Sequence, residues 1–252
     1  MPTPTTPLLE VDARLKAIHR LSDEYWDRLA PAHREQYALV RPLPEAAYSV
    51  DVAIKRLEAF LAGQDAQLQT VGGGLEMEPD FQRGHVWSQD QRSRYVESVL
   101  RGQAPTRLLF NSPNYVGSHG SVGGDLPRNV MQCVDGLQRT AALIGYAQGH
   151  VKAFGRTAAD FESGPFGAGR LRVQFVVYQF EFRNDLLQFY LDINGGGVVH
   201  TQEELDRVRA LMSAPKTPGS SDKDGRPDVA DVDLCFQQPP LAEQGGRERV
   251  RG

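Results

Sequence analysis

Asp135, Gly136, Gln138 and Arg139, within Val134-Asp135-Gly136-Leu137-Gln138-Arg139, are the residues whose types and spacing bear most directly on chemistry. A glycine between the end of a strand and the start of a helix lets the backbone approach a ligand closely, and the free amides of the first helical turn favour an anion. Arg139 would add a planar, permanently charged fork that suits phosphate oxygens. Asp135 could hold a divalent metal ion or orient a water, and Gln138 could place a water or a sugar hydroxyl. The same residues also suit a plain strand-to-helix turn, with Asp135 as the helix cap and Arg139 as a surface charge.

Two further clusters carry polar groups in unusual settings. Gln82, Arg83 and His85 lie between Pro79 and Trp87, where a proline-stiffened loop could aim them. The structural alternative is an amphipathic turn anchored in the core by Phe81 and Trp87. The segment from Gln82 to Arg107 holds five arginines and two acids, a local positive excess in a chain of net charge −4. Arg92, Arg94 and Arg101 also fit the solvated face of a helix. The third cluster is Asp192-Ile193-Asn194-Gly195-Gly196-Gly197, with more glycines than a helix C-cap needs. Asn194 and the amide of Gly195 could close over a ligand, or Asn194 could be the left-handed cap itself. Walker-type, dinucleotide-fingerprint and His-Glu-x-x-His motifs are absent, and the six histidines lack ligand spacing.

The elements that must position these groups follow from periodicity. Apolar residues at helical spacing predict a helix from Leu8 to Leu29, after which Pro31, Pro42 and Pro44 break the pattern into a bent connection. Ser49 is the expected N-cap of a second helix, with Val50, Val52, Ala53, Ile54, Leu57, Phe60 and Leu61 on its stripe and Gly63 at its end. Leu75 to Met77 reads as a short strand. Ser88 with Gln91 makes a capping box for a helix that buries Tyr95, Val96, Val99 and Leu100 and closes at Gly102. Strands are predicted at Arg107–Phe110, Asn129–Val134 and Leu171–Tyr178, the last apolar enough for a central position. A helix spans Gln138–Gln148. Another, capped by Asn184 or Asp185, runs to Asn194, and a last one follows a Thr201–Glu204 capping box. The Gly/Ser-rich stretch from Asn111 to Arg128 is expected to be a mobile surface loop or a lid.

Over 252 residues, 40% apolar content is ample for a core. Without an eighteen-residue apolar run there is no transmembrane helix, and Met1–Pro7 does not resemble a secretion signal, so a cytoplasmic protein is expected. Net charge offers no general attraction to nucleic acid or membrane. Cys133, in an apolar run, is expected to be buried, and Cys235 lies in a tail after Ser213 whose polar composition predicts disorder.

Taken in order, the three clusters resemble the ParB-like DGQQR-motif family, whose best-known member is the S half of the GmrSD modification-dependent restriction enzymes. The matching segments are Pro79-Asp80-Phe81-Gln82-Arg83-Gly84-His85-Val86-Trp87-Ser88, Glu97-Ser98-Val99-Leu100-Arg101-Gly102, Val134 to Arg139, and Phe189 to Gly196 with Thr201 and Glu204 beyond. The resemblance covers Val50 to Met212. It implies a mixed α/β, ParB/sulfiredoxin-like nucleotide-binding domain at 48–212, after an N-terminal helical extension at 1–47 and before a disordered tail at 213–252. It further implies a nucleoside triphosphate with divalent Mg or Mn, hydrolysed or sensed and linked to nucleic-acid processing or defence. Asp135, Gln138 and Arg139 carry over as catalytic, with Asp135 on the metal. Gln82, Arg83, Gly136, Arg139, Asn194 and Gly195 carry over as nucleotide-binding. The partners implied are the nucleotide, DNA or a separate nuclease or defence protein, and further copies of the chain; no membrane is implied. Two departures matter. Leu137 replaces the first glutamine of the motif, which weakens the expectation of turnover, and only a polar tail follows Met212 where a nuclease half would stand. A non-catalytic nucleotide- or DNA-sensing module and a ParB-like nuclease are the competing readings.

Overall fold

The computed structural model describes residues 16, 21–40, 42–82, 87–115, 124–195 and 202–213. Five strands form one mixed sheet: β1 (Tyr48–Ala53), β2 (Gly74–Glu76), β3 (Arg107–Asn111), β4 (Val130–Asp135) and β5 (Arg172–Tyr178), in the order β1-β5-β3-β4-β2. The described helices are α1 (Asp23–Arg28), α2 (Pro31–Val40), α3 (Leu57–Thr70), α4 (Gln89–Leu100), α5 (Leu137–Ala147), α6 (Ala158–Phe161), α7 (Arg183–Gly195) and α8 (Gln202–Ser213). The predicted mixed α/β class is what the chain adopts.

Both faces of the sheet are covered. Leu57, Leu61 and Leu68 of α3, Tyr95, Val96 and Val99 of α4, and Leu137, Leu143 and Tyr146 of α5 share a core with Leu108, Phe110, Met131, Cys133 and Phe175. Leu186, Leu187, Phe189 and Tyr190 of α7 and Val208 of α8 share the other with Leu109, Val134, Val176 and Tyr178. Because strand side chains alternate, β5 can supply Phe175 to one core and Val176 to the other, which is why Phe175 to Tyr178 is continuously apolar and buried. That run predicts an interior position, and β5 pairs with β1 on one side and β3 on the other.

The sheet's directions bring distant segments together. β2 runs parallel to β4, with Glu76 beside Gln132, whereas β3 runs antiparallel to β4. The carboxyl ends of β2 and β4 therefore open at the same edge, and the loops that follow them are neighbours. Register shifts between Leu109 and Phe110, leaving Val134 as the extra residue of β4 just before Asp135. A bulge of this kind re-aims the end of a strand.

Several expectations are corrected. The stretch from Ser49 to Gly63 is not one helix: β1 occupies Tyr48–Ala53, a 3-10 turn follows at Ile54–Arg56, and α3 begins at Leu57 and passes through Gly63 to Thr70. Val50 and Val52 alternate with exposed Ser49 and Asp51, and this period-two pattern prevails once β5 is available to pair. Pro31 opens α2 rather than breaking a helix, since the first helical position needs no N–H. α7 begins at Arg183, ahead of the expected caps Asn184 and Asp185. In the N-terminal region, Ser22 caps α1 by accepting the Tyr25 N–H at 3.2 Å, which starts a new helix inside the predicted Leu8–Leu29 span. Thr201, Cys235, the tail beyond Ser213 and the middle of the Asn111–Arg128 stretch lie outside the described residues. Among the described residues, no helix is long and apolar enough to cross a membrane.

Candidate functional site

Asp135 ends β4, Gly136 turns the chain, and Leu137 begins α5. Gly136 has φ 123°, a value that L side chains rarely adopt, and a Cβ built there would stand 2.7 Å from Leu108 Cδ2. Two demands thus fix glycine at this position, a left-handed turn and close passage over β3. The second shows that the bare face of Gly136 meets the protein's own core, where the sequence suggests approach to a ligand. As N-cap, Gly136 offers no side-chain oxygen to the first turn of α5. The expected alternative, Asp135 as the helix cap, is not what forms.

Asp135 Oδ2 is paired instead with Arg139 Nη2, across the turn and four residues on. The Arg139 side chain is only 12% exposed and that of Asp135 39% exposed, so the carboxylate is the more open member. A guanidinium this deep keeps its fork at the turn, in place of a free surface charge. The pair acts on two buried neighbours. Burial pushes the Tyr95 hydroxyl up to about 12, with Arg139 opposing and Asp135 adding to the shift. Tyr95 donates that hydroxyl to Pro105 O at 2.9 Å. Burial likewise pushes the Cys133 thiol up to about 12, with Asp135 reinforcing it, while Arg139 and hydrogen bonds from Gln82 and the Leu137 amide pull the other way. Cys133 is fully buried, as expected, and an unreactive thiol follows.

The neighbouring loop is tied to this turn by both glutamines. Gln82 Nε2 donates to Cys133 O at 2.6 Å, and the Trp87 N–H donates to Gln138 Oε1 at 3.1 Å. These bonds join residues 51 positions apart and depend on the parallel pairing of β2 with β4. Phe81 is buried against Tyr190, with ring centroids 5.3 Å apart, and Trp87 meets Tyr95 at 5.3 Å, so both aromatics anchor the loop as the structural alternative predicts. Arg83 and His85, between these anchors, lie outside the described residues.

α7 and α8 hold the loop from the other side. Arg207 Nη2 donates to Asp80 O at 2.7 Å and to Gln82 O at 3.0 Å, and Arg183 Nη2 pairs with Asp80 Oδ2 at 2.5 Å. Neither arginine is singled out by the sequence. The apolar stripe of α8 predicts a helix but does not say which polar residue will face a loop 125 positions earlier. Asn194 lies one turn beyond Tyr190 and donates its Nδ2 to Tyr190 O at 2.8 Å. It belongs to the last turn of α7 with Gly195 and does not have the positive φ of a left-handed cap. Asn194 thus shares the α7 end that packs on Phe81, with its amide spent on its own helix.

No family model, curated protein or solved structure matches the chain.

Among the described residues there is no group of three or more His, Cys, Asp or Glu that could hold a metal ion. Asp135 is the carboxylate of the turn, and it faces Arg139. A resident metal centre does not fit this donor set. A magnesium ion carried in on phosphates does, because such ions keep most of their waters and need one or two carboxylates. What the arrangement can do by itself is receive an anion, with the first turn of α5, whose glycine cap supplies no side-chain hydrogen bond, and the fixed guanidinium of Arg139 on one turn.

Proposed function

We propose that this chain is a ParB-like nucleotide-binding domain that takes the phosphates of a nucleoside triphosphate at the Asp135–Arg139 turn. The observation that carries the reading is the N-terminus of α5, which starts on a glycine cap without a side-chain partner and holds a largely buried Arg139 within its first turn. Helix amides and a guanidinium together supply charge and directed hydrogen bonds for phosphate oxygens. Gln82 and Gln138 frame the turn and set its edge, and the order of the three clusters along the chain supports a ParB-like ancestry. In the bound form Arg139 would move its hydrogen bonds from Asp135 to phosphate, freeing the half-exposed carboxylate for a divalent metal, Mg or Mn, that accompanies the nucleotide.

Binding without turnover is favoured over hydrolysis by particular contacts. Leu137, which stands where the family motif has a glutamine, is 4% exposed and part of the core. The side-chain oxygen of Gln138 accepts from the Trp87 amide, which holds the side chain toward the neighbouring loop and takes up one of its two acceptor positions. The chain then senses a nucleotide on behalf of a separate nucleic-acid-processing or defence partner. A panel of ribo- and deoxyribonucleoside triphosphates with Mg or Mn, read for both binding and phosphate release, tests this. Saturable binding without release is expected. Release abolished by Asp135→Ala would establish the hydrolytic reading, and metal-dependent nicking of DNA with the same dependence would establish a nuclease.

A further inference from the structure

Between α5 and α6 the chain folds back on itself at Ala153-Phe154-Gly155-Arg156, where Ala153 and Arg156 exchange backbone hydrogen bonds of 2.9 Å in both directions. Both central residues have positive φ, 53° at Phe154 and 72° at Gly155. A turn of this kind is met without strain by Asn-Gly or Asp-Gly, whereas a bulky side chain in the first position costs stability. Phe154 is the one non-glycine residue with positive φ among the described residues. Its ring does not repay the strain by filling the core, because Phe154 remains 45% exposed.

The ring is nevertheless held in place. The Phe154 N–H donates to Glu97 Oε1 at 2.8 Å, and the Arg101 guanidinium lies 4.5 Å from the ring centroid. Glu97 also pairs with Arg101 at 3.9 Å, so one carboxylate of α4 fixes both the turn and the cation behind the ring. From Gln148 to Ala159 the chain carries Lys152 and Arg156 and no acid. Asp160, just beyond, spends one oxygen on the N–H and hydroxyl of Thr157 at 2.7 and 2.9 Å, and it lies near enough to Arg156 and Lys152 to feel both charges. The Phe154 turn is thus left with Lys152, Arg156 and Arg101 against Glu97 and Asp160.

A strained, exposed ring backed by a guanidinium and flanked by two cations complements a ligand that offers a flat π-face and a phosphate on either side. A duplex keeps its base faces stacked inside, and an acidic peptide would answer the cations but not the ring. We infer that the Phe154 turn binds single-stranded nucleic acid, with one base stacked on Phe154 and adjacent phosphates on Lys152 and Arg156. This surface is separate from the Asp135–Arg139 turn and does not depend on the reading given to it.

The test is anisotropy titration of a fluorescein-labelled oligothymidylate with the full chain, alongside thermal unfolding of each variant. Phe154→Asn relieves the turn while removing the ring. It is expected to weaken strand binding on the order of tenfold and yet raise the thermal midpoint by about 2–4 °C. Phe154→Trp is expected to retain binding. Lys152→Gln with Arg156→Gln is expected to flatten the salt dependence by about 0.7 in logarithmic slope per lost phosphate contact. Failure of the strand to bind at low salt would overturn the inference, as would unchanged affinity in Phe154→Asn. A lower thermal midpoint in that variant would show that the ring serves packing on Arg101 instead. Equal competition by polyglutamate or by duplex DNA would likewise overturn it.

Discussion

Replacing Gly136 by alanine tests how the phosphate turn is built. The residue has φ 123°, and the added methyl would stand 2.7 Å from Leu108 Cδ2 and 3.4 Å from Leu108 Cα. Leu108 is fully buried in the core it shares with α3, α4 and α5, so its side chain can yield only by displacing core neighbours. Backbone strain at such a φ costs about 1–3 kcal/mol. Overpacking of a closed core adds about 1 kcal/mol or more. The sum, roughly 2–4 kcal/mol, is a large share of the 5–15 kcal/mol typical of a folded domain. Denaturant unfolding measures it, with Gly63→Ala as the control. A Cβ at Gly63 meets nothing within 4 Å inside α3, so that change is expected to stabilise, by about 0.5–1 kcal/mol. A Gly136→Ala protein within 0.5 kcal/mol of the parent would refute the claim that turn and close approach together require glycine.

Asn111 and Cys133 offer further checks. Asn111 is fully buried, donates to Phe180 O at 3.1 Å and accepts the Phe180 N–H at 2.7 Å. Asn111→Leu strands both backbone groups and is expected to cost about 2–4 kcal/mol by denaturant unfolding. An unchanged midpoint would show that these groups find other partners. The Cys133 thiol, raised by burial from 9.0 to about 12, stays protonated in the fold after the unfolded chain has ionised. Its contribution to stability is therefore complete below pH 9 and declines as pH rises toward 12, at a limiting slope of about 1.4 kcal/mol per pH unit. Comparing the pH profiles of the parent and Cys133→Ala between pH 8 and pH 11 isolates the effect, and identical slopes would contradict it. The same burial is expected to protect Cys133 from thiol reagents until the chain unfolds.

Much of the fold was legible because local and global preferences agree. Ser88 and Gln91 predict a capping box, and both reciprocal hydrogen bonds form. Val130 to Ala147 reads as strand, glycine turn and helix, and that is how it folds. The stretch from Val50 to Leu61 misled because its apolar residues satisfy a helical stripe and a strand alternation alike. Only β5, more than a hundred residues away, decides in favour of β1, through pairs such as Val50 with Phe175. At the site, the sequence names Gln82, Asp135, Gly136, Gln138 and Arg139, and the turn brings them within one network. It does not reveal that Gln82 is bound to a β4 carbonyl, that Gln138 holds the Trp87 amide, or that Arg207 grips the loop from α8. Those contacts depend on sheet order, and no local period encodes sheet order.

The central claim is most directly tested by calorimetric titration of a nucleoside triphosphate with Mg into the parent chain and into Arg139→Ala, with circular dichroism confirming that both are folded. The parent is expected to bind at least one triphosphate, and loss of the charge-assisted contacts at Arg139 should weaken binding by about 10- to 100-fold. Failure of every triphosphate to bind the folded parent, or equal affinity in Arg139→Ala, would contradict the assignment of the Asp135–Arg139 turn as a phosphate site.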